Sequence, residues 1–371
     1  MMQRSWFPRL VSWCLVLGLT AVAVGAPERT WAPGSEDDVR LSLEAGGAVR
    51  LGPGEFIFED SLVLSVAVEL VGSGSDATVL RIAGGPAAIA WVGAGVLTVR
   101  GVTVTVDGAA AIDALRAEAG TVYLEDVALE QALGSGLVLA GSARGSLTHT
   151  VVRSNGGNGV FVVDDAELTM VSCSVHRNGL LGIAFVDRAS GTVRGSDVES
   201  NGMHGIGVAD EAQAVIEESF VSLNAEVGIA LFGATSSEVR SNTVVGNQEV
   251  GIGVGGSATS VVIENDVSLN RVVGIAFVAD AGGVALRNRV TQNGAYGLYL
   301  EGRSEVAIEG NVAERNGASG IACTGNAAGH VAGNEVRGHP QYGIWIAATA
   351  HCTEAATDGS ENRLGDVVRE P

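Results

Sequence analysis

Residues 224–231 read NAEVGIAL, residues 247–254 read NQEVGIGV and residues 270–277 read NRVVGIAF. Asn opens each segment, Gly stands four places on, and an aliphatic residue follows the Gly. The three segments superpose at a spacing of 23 residues. Working outward, Asn recurs at 155, 178, 201, 293 and 316, with His339 in the next place and Asn362 in the one after. Gly159, Gly182, Gly205, Gly297, Gly320 and Gly343 keep the same step, and Gly136-Leu137 carries it one repeat towards the N-terminus. A fixed period of this size means a solenoid, because each unit buries its apolar face only against its neighbours.

The pattern inside each repeat selects the kind of solenoid. After the Gly, apolar residues alternate as in a strand: Ile183 and Phe185, Ile229 and Leu231, Ile275 and Phe277. A second column holds Met170, Val193, Ile216, Val239, Val262, Ala285, Ile308 and Val331, and a third holds Val175, Val198, Val221, Val244, Val267 and Val290. Three short strands per turn, separated by Gly, Asn and Ser corners, describe a coil of a parallel β-helix. A leucine-rich repeat has a similar period but needs a Leu-rich strand with a helical segment, and these repeats are rich in Gly and Val. The fold class is therefore all-β, a single-stranded right-handed parallel β-helix with 23-residue coils.

The motif Asn-x-x-x-Gly-Ile-x-aliphatic resembles the right-handed β-helix repeat of NosD-like proteins, in the carbohydrate-binding and sugar-hydrolysis group of the pectin-lyase-like superfamily. The resemblance covers residues 48–370. It implies the fold, and with it a prior for glycan-directed lyases, hydrolases and epimerases. The motif residues themselves build corner and core: Asn in successive coils forms a ladder along the axis. A second ladder runs through Asn242, Asn265, Asn288, Asn311 and Asn334, continuing Cys173, Ser196 and Ser219.

Towards the N-terminus the chain is less regular. Residues 1–25 read as a secretory signal, with Arg4 and Arg9 before an apolar run from Leu10 to Val24 that is shorter than the roughly 20 residues a membrane span needs. Export to the periplasm or the medium is expected, with no transmembrane anchor after processing. Residues 26–47 form an N-terminal segment in which Ser35 caps a short helix to Ala45 that closes the open end of the core. Strands are expected at Glu55–Glu59, Leu62–Leu70, Thr78–Ile82, Ile89–Val92 and Leu97–Val104, and Ala114 and Leu124 fall in register with the later columns. The β-helix then occupies residues 48–371. Removal of Cys14 leaves Cys173, Cys323 and Cys352, which allow one intramolecular bridge at most; Cys323 and Cys352 are the nearer pair.

Composition narrows the partners. The chain carries 42 acidic against 22 basic residues, a net charge of −20, which argues against nucleic acid. It leaves cations, neutral glycans, proteins and self-association open. The outward column Phe161, Ala184, Gly207, Ala230, Gly253, Ala276, Tyr299, Ala322 and Trp345 carries no charge, and the next, from Val163 to Ala347, carries only Glu301. Small residues that suit a flat sheet and a docking face for a glycan or protein are both consistent with it. Phe161, Tyr299 and Trp345 are the candidate stacking residues.

At the end of that strand, Asp164, Asp187 and Asp210 share a column, beside Asp165, Arg188 and Glu211. Stacked carboxylates repel, so an Arg188 bridge or a bound Ca²⁺ would offset them; Asp is equally a good turn residue. His330 and His351 share an outward face near an inward Cys352, an incomplete metal set, and His204 sits at a corner. The sequence shows none of the catalytic segments of alginate epimerases or polygalacturonases. From residue 132 to 361 the period carries no insertion from which a substrate cleft could be built. The preferred reading is a non-catalytic exported module that binds a glycan or protein. The alternative is a Ca²⁺-assisted polysaccharide lyase in which Asp164, Asp187 and Asp210 hold the cation and Arg188 acts as base or clamp, and a third is an adhesive rod.

Overall fold

Each repeat is too short to bury its own apolar residues, so the coils bury them by stacking. The computed structural model describes residues 29–107 and 113–371; the segment read as a signal lies outside them. Val160–Val162, Glu167–Val171 and Ser174–His176 make one coil, and Ile183–Phe185, Ser190–Arg194 and Asp197–Glu199 make the next. All the pairings are parallel: Val160 lies beside Ile183, Met170 beside Val193, and Val175 beside Val198, each 23 residues on. The first strands of the coils form a sheet of 14 strands. The second and third strands belong to one sheet of 27, because Val96–Val106 and Thr121–Glu130 run through the corner between them. The result is an all-β parallel β-solenoid with a continuous core from Val39 to Cys352.

The Asn ladder closes one corner. Asn224, fully buried, sends its amide N–H groups to Asn247 Oδ1 (3.0 Å) and to the carbonyl of Val198 (3.2 Å). Its own Oδ1 accepts from the backbone and side-chain nitrogens of Asn201, at 3.1 and 3.0 Å. Every polar atom of the amide is satisfied, which burial requires. The residue before each Asn turns the chain with a left-handed backbone, as at Ser200 (φ 56°) and Leu223 (φ 54°). The Gly four places on has a different role. A Cβ at Gly228 would lie 2.7 Å from Asn247 Nδ2 and 2.7 Å from the carbonyl oxygen of Gly251, so Gly is needed there for close approach. The second ladder has the same form, with Ser196 and Ser219 hydroxyls accepting where the Asn amides later do.

His339 stands in for Asn in the first ladder. Its Nδ1 accepts from the backbone nitrogen of Asn316 (3.2 Å) and its Nε2 lies 3.1 Å from the carbonyl of Ala313, which can only accept. The ring is therefore neutral with its proton on Nε2. Burial, only partly countered by the hydrogen bonds and the charge of Glu314, holds its pKa below the ordinary 6.5.

The ends differ from the body. The helix spans Glu36–Ala45 and buries Val39 and Leu43 in the core. Ser35 does not cap it with its side chain: its hydroxyl donates to Ala32, while the Glu36 carboxylate accepts from Gly34 and Ile57. The stretch expected as one strand at 62–70 is two, Leu62–Leu64 and Val68–Val71, split by a corner. Leu124 keeps the register, pairing with Leu147, but Leu137 pairs with Leu115 and not Ala114, because that coil is one residue shorter. At the C-terminal end, Glu354 lies beside Val331 and Gly359 beside Val336. Polar or small residues thus take core positions that aliphatic residues hold in the preceding coils.

Replacing Asn224 by Ala orphans buried groups on both neighbouring coils, each costing about 1–3 kcal/mol; urea unfolding should show a loss of that size, and Gly228→Ala a comparable one. His339 predicts a pH effect. The unfolded chain takes up the proton near 6.5 and the folded chain only at lower pH, so this contribution is intact above 6.5 and is lost as pH falls through the folded value. Thermal melts of wild type and His339→Asn should diverge below pH 6.5, with the wild type losing more.

Candidate functional site

The nearly uncharged outer face of the first sheet has a local cause. Residues from the corner just before each strand fold back over it. An added Cβ at Gly207 would strike Leu181, and one at Gly253 would meet Val227 and Val250. Ala184, Ala230, Ala276 and Ala322 are buried although they point away from the core, and Val227 and Val273 above them are buried too. Over the run from Ala184 to Ala276 the column is small because a second apolar layer covers it.

Near the C-terminal end the cover becomes aromatic. Tyr299 and Trp345 stand two coils apart in one column, with Ala322 paired to both. Tyr296 reaches over from the corner into the space above Ala322. Its ring lies 5.1 Å from that of Tyr299, 10° from parallel, and 6.1 Å from that of Trp345, 25° from parallel. The three half-buried rings form a ridge along the solenoid axis, about 10 Å long at the usual strand spacing. Burial raises the pKa of both tyrosines, so they stay neutral donors. Thr324 Oγ1 lies 3.1 Å from the Tyr299 oxygen.

The next outward column runs Glu301, Thr324, Ala347 and Glu370, placing a carboxylate at either end of the ridge. Beneath it, Cys323 and Cys352 form a disulfide that ties the coil of Ala322 to the coil of Trp345. Phe161 is half-buried and lies six coils away, about 29 Å by strand spacing. The structure thus brings Tyr299 and Trp345 together and leaves Phe161 apart. Tyr296 escaped the sequence reading because it lies in a corner column (Leu181, His204, Val227, Val250, Val273, Tyr296) whose apolar run was the available signal.

The aspartate column occupies a left-handed corner. Asp164, Asp187 and Asp210 have φ of 62°, 59° and 59°, and Gly141, Gly233, Gly256, Gly302 and Gly325, together with Ala279 (φ 61°), take the same place in other coils. Asp and Gly are the residues that accept this backbone most readily. Asp164 Oδ2 is also engaged, accepting from the backbone nitrogen of Gly141 at 2.8 Å.

Arg188 grips Asp165 with two hydrogen bonds of 2.8 Å. That bond lowers the Asp165 pKa and raises that of Arg188, which keeps the guanidinium charged. Five coils on, Arg303 and Asp280 repeat the same pair in the same column. Among the described residues no group of three or more His, Cys, Asp or Glu side chains is placed to hold a metal ion. His330 shares a hydrogen bond with Thr353, His351 is exposed, and Cys352 is committed to its disulfide. His204 sits at its corner with Nδ1 3.1 Å from Glu226. Cys173 is a buried free thiol pushed up to about 11, which leaves it inert.

The family model for the right handed beta helix region matches residues 87–267 and 237–357. Curated proteins give no sequence match. Among solved structures, the A-module of the mannuronan C-5 epimerase AlgE4 of Azotobacter vinelandii superposes with a TM-score of 0.57 at 16% identity, covering 91% of this chain and 94% of that one. The periplasmic alginate epimerase AlgG gives 0.55 at 13% identity, covering 84% and 77%. The catalytic unit of a GH87 α-1,3-glucanase from Streptomyces thermodiastaticus gives 0.54 at 13% identity, covering 94% and 72%. At such identities the likeness is one of fold.

If backbone geometry selects the aspartates, Asp187→Gly should be tolerated better than Asp187→Val by about 1–2 kcal/mol in thermal unfolding. A Ca²⁺-dependent rise in wild-type Tm that Asp187→Gly abolishes would assign the column to a cation instead.

Proposed function

The chain belongs to the right-handed β-helix family, and on that footing we propose that it is an exported glycan-binding protein that uses the ridge of Tyr296, Tyr299 and Trp345 and carries out no catalysis. The observation that carries this reading is the aromatic stack, the one set of paired rings among the described residues. Sugar rings present apolar C–H faces and hydroxyl edges. The ridge offers a matching combination of aromatic surface, tyrosine hydroxyls and Thr324. The disulfide below it holds the two coils in place, which limits the ordering cost of binding. A disulfide also suits an oxidising compartment, in keeping with the signal-like residues 1–25.

Two features favour binding over turnover. The uninterrupted period leaves no inserted loops around the ridge to enclose a substrate. Arg188 is held charged by Asp165, which suits a clamp but not the base that the enzyme reading also allows.

Incubating the mature chain with a panel of polysaccharides, with and without Ca²⁺, tests the reading. Retention without new reducing ends or unsaturated products is expected. Trp345→Ala should weaken retention by about 2 kcal/mol, roughly 30-fold, without lowering Tm comparably. Ca²⁺-dependent cleavage that Asp187→Ala abolishes would establish the lyase reading instead.

A further inference from the structure

The charges around the ridge narrow what it can take. Glu301 and Glu370 stand at its two ends in the adjoining outward column. The two arginines that flank this column in sequence are engaged. Arg303 is held by two hydrogen bonds to Asp280, and Arg369 donates to the carbonyl of Cys352. Between the two carboxylates the column holds only Thr324 and Ala347. The chain as a whole carries −20, so its long-range field repels polyanions as well. A carboxylate or sulfate on a sugar docked here would meet two like charges, with no arginine in either outward column along the ridge.

We infer that the ridge selects a glycan whose repeating units bear no carboxylate or sulfate, and excludes polyuronates. This rests on the glycan-binding reading above and assigns its ligand class. The exclusion is electrostatic, because the aromatic surface alone would accept the apolar face of a uronate as well as that of a neutral hexose.

Affinity electrophoresis of the full mature chain in gels containing a neutral glucan, chitosan or polygalacturonate, at 20 mM and 500 mM salt, tests it. Those salt levels are on the order of 20 and 4 Å in screening length. The expected result is retardation by glucan or chitosan that falls at least ten-fold in Trp345→Ala, with none by polygalacturonate at low salt. The double variant Glu301→Gln/Glu370→Gln should gain retardation by polygalacturonate. Retardation of the wild type by polygalacturonate at low salt, lost in Trp345→Ala, would overturn the inference and leave glycan binding standing. Absence of retardation by every polymer would overturn both.

Discussion

From Gly136 onward the molecule answers to one constraint: a residue in one coil lies against the residue 23 places on. At a strand spacing of about 4.8 Å, whatever occupies a column must be compatible with its own copies. Asn meets this requirement because its amide is both donor and acceptor, so a buried column of Asn satisfies itself while also serving the backbone of the turn. The constraint reaches further than the ladder. Gly228 is Gly because the Asn of the next coil leaves no room for a Cβ, so the two most regular features of the sequence are one packing arrangement seen twice. His339 shows what the position demands, since a neutral imidazole reproduces the amide's acceptor and donor with Nδ1 and Nε2.

Charged columns obey the same rule through alternation of sign. Asp165 and Arg188 pair across adjacent coils, and Asp280 and Arg303 repeat the pair five coils later. These ion pairs are exposed and contribute little to stability, but they relieve repulsion in an acidic chain. Left-handed corners carry residues as different as Ser200, Leu223, Arg177 and Gly246. The aspartate column lies at such a corner, where Asp and Gly are readily accommodated.

The outer face carries a second level of organisation. Small residues in the first sheet are covered by a layer of corner side chains, mostly Val and Leu. The ridge is that layer with aromatic residues substituted: Tyr296 occupies the place that Val227, Val250 and Val273 take in earlier coils. It therefore required no new backbone, only larger side chains where the column on either side of Ala322 could widen to Tyr299 and Trp345. The disulfide between Cys323 and Cys352 then joins the two coils that carry the ridge.

What the sequence by itself determined is the repeat: three strands per coil, the ladders, the inward columns and the coil boundaries from Gly136 onward. These are legible because a strict period places every residue relative to its copies without knowledge of distance. Tyr299 and Trp345 were legible for the same reason, as members of one outward column. Tertiary structure decided the rest. The irregular N-terminal coils lose the period, so the split at residues 65–67 and the shift from Ala114 to Leu115 could not be read from spacing. Tyr296 joined the ridge only because a corner side chain folds across a strand, a contact between columns that periodicity does not encode. The left-handed backbone beneath the aspartates was likewise set by the fold, since the residue names allow that torsion but do not specify it.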